Sequence, residues 1–331
     1  MFLDAWCYPA TGSYVLSSVR FRSKGEEKKM PTRRSIYTLF SLMAVVSIVL
    51  AACGGPALGS ADNPIVMSFV PSGDTPEILA SGEEIAKMIS DRTGLTVKAN
   101  VATSYAAVVE AMGAGQAHVG WLAPFSYVVA NTKGYADVAL STVRFGSDHY
   151  GFQIIARADS GIASVTDLSS KKLCWTDPLS TSGYVTPLGY LADQGVDQAT
   201  LDGGEFLGGH TAVVRGVYQG QCDAGATFVD ARGSVATDFP DVNEQVIQIY
   251  VSEPFIPNDT VSYAKSLPQD IRDKITNALL EIAQTEEGKA TLETVYEIEG
   301  LQKVDDTFFD ELRVILNRSG LNIEELAAPD N

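Results

Sequence analysis

The stretch KLCWTDPLSTSGYVTPLGYLADQG, residues 172–195, decides the fold. KLCWTD reads as a short buried strand, and YVTPLGYLADQG reads as a helix. Between them Ser180, Thr181 and Ser182 stand in a row before Gly183. A strand that runs directly into a helix is the unit of an α/β sheet, and ligands of such sheets bind beyond the strand C-termini. One hydroxyl is enough for a helix N-cap. Three hydroxyls and a glycine supply more donors than a cap uses, although a simple cap remains the alternative at any one of them.

The same alternation extends outward. IVMSFV (65–70) is a continuous apolar run, as expected of a strand covered on both faces. SGEEIAKMISDRTG (81–94) has helical spacing and stops at a glycine. LTVKANVA, AHVGWLA, ADVALSTV and YGFQIIAR read as further strands, and SYAAVVEAMGAGQ and PFSYVVANTKG as helices. From about residue 159 the pattern restarts: the helix HTAVVRGVYQGQ leads to the strand CDAGATF, and QVIQIYVS (245–252) is the last strand. Two amphipathic helices, 268–284 and 305–320, close the chain. Two successive runs predict two α/β lobes with parallel sheets: 64–157 plus 254–331, and 158–253. VPSGDT, ATSY, LAPFSY, DPLSTSGY, LGGHT and FVDAR all occupy strand-to-helix junctions.

The N-terminal part stands outside this pattern. From Met30 the chain reads MPTRRSIYTLFSLMAVVSIVLAACGG. Arg33 and Arg34 precede an apolar run, which ends in small residues directly before Cys53. This order resembles a bacterial lipobox, in which the cysteine is lipidated and becomes the new N-terminus; the alternative is an uncleaved anchor helix. Residues 1–52 are expected to be an upstream extension and signal peptide, with Met30 as the start. Residues 53–63 are expected to form the lipid anchor and a flexible linker.

Charge limits the partners. The full chain carries −17. Residues 1–52 hold seven of its 24 Lys and Arg and three of its 41 Asp and Glu, so the remainder carries −21. Such acidity argues against nucleic acid, which needs a basic surface. It leaves room for a small anion, whose binding depends on the local site. Only Cys174 and Cys222 remain in the folded part, and an exported protein permits a disulfide between them; two buried thiols are the alternative. Neither a zinc-like ligand spacing nor a GxSxG, GxGxxG or GxxxxGK[ST] motif is present, so neither metal, cofactor nor enzyme chemistry is expected.

A helix N-terminus offers unpaired amides and partial positive charge. STSG adds hydroxyls to such an end, and Gly183 would allow a ligand close to the backbone. The segment has no Lys or Arg, so recognition there would rest on neutral dipoles. His210 opens a second helix after Gly208 and Gly209, where it can donate to an anion or serve as a loop residue. His118 and Trp121 read as structural.

Four ordered segments carry a resemblance: SYAAVVEAMGAGQAHVGWLAPFSYV, DLSSKKLCWTDPLSTSGYVTP, GGHTAVVRGVYQGQCDAGATFVDAR and PFIPNDTVS. Over roughly 64–300 the chain resembles the phosphate, phosphite and phosphonate-binding proteins of ABC transporters. The resemblance implies a two-lobed periplasmic-binding-protein fold of type II, with the ligand in the interlobe cleft. It implies Ser180, Thr181, Ser182 and His210 as donors to the oxyanion, and Tyr105 and Tyr150 as first-lobe covers. Asp230 and Asp259 would face the opposite end of the ligand. An ionised carboxylate accepts hydrogen bonds and cannot donate. It therefore selects a protonated oxygen or an ammonium, whereas phosphite and methylphosphonate would favour aromatic walls. The implied protein is a monomeric, lipid-anchored, extracytoplasmic receptor that delivers a phosphorus oxyanion to an ABC permease driven by a separate ATPase. A sensor subunit that presents the ligand to a membrane kinase is the alternative.

Overall fold

The computed structural model describes residues 55–318. The signal segment, Cys53 and residues 319–331 lie outside them. The first part of the chain forms β1 (Ile65–Phe69), α1 (Thr75–Thr93), β2 (Val97–Val101), α2 (Tyr105–Gly113), β3 (Val119–Leu122), α3 (Pro124–Thr132) and β4 (Ala136–Val143). It passes through β5 (His149–Tyr150) into β6 (Phe152–Arg157), β7 (Leu173–Trp175), a π-helical turn at Thr181–Val185, α4 (Thr186–Asp193) and β8 (Glu205–Phe206). There follow α5 (His210–Tyr218), β9 (Ala224–Phe228), α6 (Val242–Gln245) and β10 (Val246–Val251). The chain returns through β11 (Ile256–Pro257) to β12 (Thr260–Ala264), α7 (Gln269–Ile282), α8 (Glu286–Tyr296), β13 (Gly300–Lys303) and α9 (Asp310–Arg318).

Among the described residues two large sheets share one plan, with a small two-stranded sheet of β5 and β11 beside them. The first runs β13-β4-β12-β3-β1-β2 and the second β10-β6-β9-β7-β8. In each, the strand that arrives from the opposite sheet is inserted between the third and fourth strands of the local run. That strand is β12 in the first sheet and β6 in the second, and each pairs antiparallel with both neighbours. The strands joined by helices, β1 with β2 and β3, and β7 with β8 and β9, pair in parallel. The alternation of elements predicts purely parallel sheets; the double crossing makes both of them mixed. The crossing strands β5 and β11 pair with each other, Ile256 opposite Tyr150 and Pro257 opposite His149.

Three further differences from the sequence pattern follow. Residues 152–157, expected with the first lobe, pair in the second sheet, which places the first crossing at about 148–151. Gly151 stands there, where a Cβ would meet the Ser252 carbonyl oxygen at 2.8 Å. TVSYA, not predicted as a strand, is β12, and all five of its residues are buried. Its Thr260 and Ser262 hydroxyls hydrogen-bond each other at 2.8 Å, so polar side chains sit in the core at little cost. EEGKATLETVY, not predicted as a helix, is α8, capped by Thr285, whose hydroxyl accepts from Gly288 N.

Each sheet has its own packing. Ile65, Met67, Phe69, Ile85, Val108 and Leu279 belong to one core around the first sheet. The second sheet is covered on one face by the cluster of Phe152, Leu173 and Trp175 and on the other by that of Ile155, Cys174, Val213 and Val217. Trp121 is fully buried and stacks on Phe69 at 5.4 Å, as a core residue would. Cys174 and Cys222 are bonded, their Cα atoms 5.8 Å apart, tying β7 to the turn before β9. His118 accepts the Val66 amide on Nδ1 at 3.0 Å and serves the first sheet. Leu179 and Val185, which flank the STSG turn of the second sheet's half, bury in the core of the first.

Candidate functional site

A cavity of about 480 Å³ lies between the sheets, beside the crossing strands. Five of the eight residues singled out in the sequence line it: Tyr105 at the start of α2, Tyr150 on β5, Ser182 in the π-helical turn, His210 at the start of α5, and Asp259 between β11 and β12. Elements distant in sequence meet here because strand C-termini of both sheets point at the same gap.

The other three have different places. Ser180 is the N-cap of the turn and accepts the Gly183 amide at 3.1 Å. Thr181 accepts the Phe125 amide at 2.9 Å, across the gap between the sheets. Asp230 sits exposed in the turn after β9 with φ +70°, and it does not line the cavity. Gly183 also has a different function from the one its position suggests. A Cβ there would overlap the Thr176 side chain, so the glycine serves the packing of the turn and not ligand approach. Glycine does admit a close approach at Gly209, where a Cβ would meet the Pro71 carbonyl oxygen at 2.8 Å. That contact lets the His210 amide donate to the Ser72 carbonyl at 2.8 Å.

Hydrogen bonds across the gap hold the two halves together. The Asp177 carboxylate accepts the Tyr105 amide at 3.2 Å on one oxygen and the Leu179 amide at 2.8 Å on the other. The Ser126 hydroxyl donates to the Leu179 carbonyl at 3.0 Å. The first amides of α2 and α3, left unpaired by helix geometry, are thus satisfied by side chains from the opposite half.

The protonation of the cavity follows from burial. His210 accepts on Nδ1, with the Phe228 amide at 3.4 Å and the Thr176 hydroxyl at 3.3 Å. The ring proton is therefore on Nε2. Burial pushes the His210 pKa down to about 3, helped by nearby Arg144, so the ring is a neutral donor. Burial pushes Asp259 up to about 6, while Arg144 pulls the other way. Asp259 retains some accessible surface, but it lines the cavity, and the protein around it still desolvates the carboxyl. Burial likewise raises the tyrosines Tyr105, Tyr150 and Tyr296, which keep their hydroxyl protons at physiological pH. The Ser182 and Thr181 hydroxyls reach the Tyr150 phenol.

Sequence reasoning missed Arg144 and Tyr296. Both line the cavity. Arg144 lies in RFGSD between two predicted strands and has no periodic signature. Its signal was charge: it is the sole Lys or Arg from 134 to 156 in a strongly acidic chain. Tyr296 ends the unpredicted helix α8 and donates to the Val70 carbonyl at 2.7 Å.

Comparison with known proteins places this arrangement. Residues 67–309 match the family described as the periplasmic substrate-binding protein of phosphonate ABC transporters. The chain belongs to that family. Its members are transport receptors, so this protein is an extracytoplasmic substrate-binding component of the phosphonate ABC transporter family and not an enzyme. It is 27% identical to the phosphate-import protein PhnD of Mycolicibacterium smegmatis over 312 residues, covering 87% of this chain and 97% of that one. Its fold is that of the binding component of an ABC phosphonate transporter from Pseudomonas aeruginosa, at TM-score 0.72 and 23% identity, over 78% of this chain and 88% of that one. PhnD1 from Prochlorococcus marinus, solved with methylphosphonate, superposes at TM-score 0.68 with 16% identity over 78% and 98% of the two chains. This phosphonate-binding family has the two-lobed periplasmic-binding-protein architecture expected from the sequence.

Proposed function

We propose that the protein captures a phosphorus oxyanion in the cavity between its two sheets and delivers it to an ABC permease. The observation that carries this reading is the convergence of neutral donors from separate elements with the desolvated Asp259 carboxyl in the same cavity. The Ser182 hydroxyl, His210 Nε2–H and the Tyr105 and Tyr150 hydroxyls supply hydrogen bonds to the oxyanion oxygens. Hydrogen bonds to a charged partner contribute about 1.5–3 kcal/mol each when desolvated. Four of them, about 6–12 kcal/mol together, are of the same order as the cost of association, about 4–15 kcal/mol. Asp259 faces the remaining substituent of phosphorus, where a P–OH can donate to it.

Ser180 and Thr181 act at one remove in this reading. Ser180 shapes the turn and Thr181 fastens it to α3, and both hold Ser182 in place. Asp230, at the surface, is left without a ligand role. The two sheets act as lobes that open and close about β5 and β11, with boundaries near residues 151 and 253. Closure onto the ligand presents one defined shape to the permease, whose separate ATPase supplies the energy.

Cys53 tethers the receptor to the membrane through its lipid. Replacing Cys53 by Ser is expected to move the protein into the soluble fraction; a membrane-bound variant would contradict the tether. Calorimetry with phosphate, phosphite, methylphosphonate and 2-aminoethylphosphonate tests the ligand class. Binding of at least one is expected, and binding of none overturns the reading.

A further inference from the structure

Two arginines line the cavity: Arg215 is 35% exposed and paired with Asp238, whereas Arg144 is the buried cation among the described residues of the lining. It stands where the chain leaves β4 for the crossing, in the Arg144–Ser147 bridge. Its side chain is 6% exposed and lines the cavity. The guanidinium lies over the Phe228 ring at 4.7 Å, and Nη2 pairs with Glu297 Oε2 at 2.5 Å. Its buried Nε has no hydrogen-bond partner among the described residues. Glu297 is itself 36% exposed, so solvent dilutes its neutralisation of the buried cation. A buried cation with an unpaired donor is costly unless an anion completes it.

The position of Arg144 matters as much as its charge. It acts electrostatically on both His210 and Asp259, and all three residues line the cavity. A carboxyl alone at Asp259 would suit a ligand ammonium or a P–OH equally. A guanidinium beside it repels the ammonium and leaves the P–OH unaffected. A planar donor fork also fits two oxygens of a tetrahedral oxyanion.

We propose that Arg144 sets the ligand class: phosphorus oxyanions whose remaining substituent is hydroxyl, hydrogen or methyl, and not phosphonates that carry an ammonium. This rests on the oxyanion reading given above and narrows it. Asp259 then accepts from a P–OH or faces a small neutral group, while the Arg144 guanidinium offers its charge and a donor to a phosphorus oxygen.

Calorimetry on the purified chain with orthophosphate, methylphosphonate and 2-aminoethylphosphonate tests it. The wild type is expected to bind orthophosphate or methylphosphonate at least ten-fold more tightly than 2-aminoethylphosphonate. Arg144→Gln should shrink that ratio at least ten-fold, and Arg144→Lys should restore part of it. A merely structural role would weaken all three ligands alike and leave the ratio unchanged. The proposal is overturned if 2-aminoethylphosphonate binds the wild type most tightly, or if folded Arg144→Gln keeps the wild-type ratio. Should Arg144→Gln fail to fold, Glu297→Gln, which releases the guanidinium from its carboxylate, should widen the ratio; an unchanged ratio there also overturns the proposal. Tight binding of the aminophosphonate alone would leave the oxyanion reading standing and remove only the role of Arg144, whereas binding of none of the three removes both.

Discussion

The Thr181 hydroxyl accepts the backbone N–H of Phe125 at 2.9 Å, so a residue of the STSG turn caps a helix of the opposite half. The three hydroxyls in a row therefore divide their work: Ser180 caps its own turn, Thr181 bridges the halves, and Ser182 faces the cavity. Substitution separates these parts. Loss of a helix cap costs about 0.5–2 kcal/mol. Loss of a hydrogen bond to a charged ligand costs about 1.5–3 kcal/mol. Thr181→Val should weaken phosphorus-oxyanion binding about 3- to 30-fold, and Thr181→Ser should stay near wild type. Ser182→Ala should weaken it about 10- to 150-fold. Calorimetry reads all three, and a Thr181→Ser variant as weak as Thr181→Val would contradict the capping role.

His210 and Asp259 titrate in opposite senses across one pH range. An unfolded carboxyl near 3.8 and a folded one near 6 mean that, between them, the folded state holds the extra proton at Asp259. That contribution to stability is present below pH 3.8 and is lost as pH rises to 6. At His210 the folded value of about 3 lies below 6.5, so the unfolded state holds the extra proton. Its contribution is present above pH 6.5 and is lost as pH falls toward 3. Each amounts to a few kcal/mol, at about 1.4 kcal/mol per unit. In the wild type they oppose each other between pH 4 and 6. Asp259→Asn should make stability rise more steeply with pH there, and His210→Gln should make it rise less steeply or fall. Urea midpoints at pH 4, 5 and 6 measure this, and identical slopes in Asp259→Asn and wild type would refute it.

The Cys174–Cys222 bond closes a loop of 48 residues. Cross-linking a loop of that length removes about 4 kcal/mol of unfolded-chain entropy in the simplest treatment, and measured losses for native disulfides run about 2–5 kcal/mol. The Cys174→Ala/Cys222→Ala variant should lose about 2–4 kcal/mol and several degrees of Tm. Because neither cysteine lines the cavity, ligand affinity should change less than three-fold. Thermal melts with and without phosphate distinguish the two effects.

The elements that were legible in the sequence are those with a strong local signal. ADVALSTV reads as a strand and is β4 over the same residues, and Gly94 ends α1 in the left-handed conformation that glycine favours. What escaped depends on distant partners. TVSYA mixes hydroxyl and apolar residues, and its hydroxyls are buried because β3 and β4 flank it. The reach of Thr181 to Phe125, 56 residues away, has no local trace. The site was half legible for the same reason: helix starts announce themselves through Gly, Ser and His, as at Ser182 and His210. Arg144 enters from a crossing segment whose only mark is a solitary positive charge.

Asp177 offers the sharpest test of closure. Its two carboxylate oxygens accept from amides of opposite halves, Tyr105 N at 3.2 Å and Leu179 N at 2.8 Å. Asn has the same shape but only one accepting oxygen, so Asp177→Asn must leave one amide facing an NH₂ group. An unsatisfied buried donor costs about 1–3 kcal/mol. The Leu179 bond lies within one loop and can form in any lobe arrangement; the Tyr105 bond forms only when the halves meet. The Asn oxygen should therefore keep Leu179 and give up Tyr105, so the cost falls on the closed state. Because ligand binds the closed state, its apparent affinity falls in proportion to the closed population. Asp177→Asn should weaken binding about 5- to 100-fold without touching the cavity lining, and small-angle scattering of the unliganded variant should give a larger radius of gyration than wild type. Unchanged affinity and radius together would show that the bond to Tyr105 does not hold the halves closed.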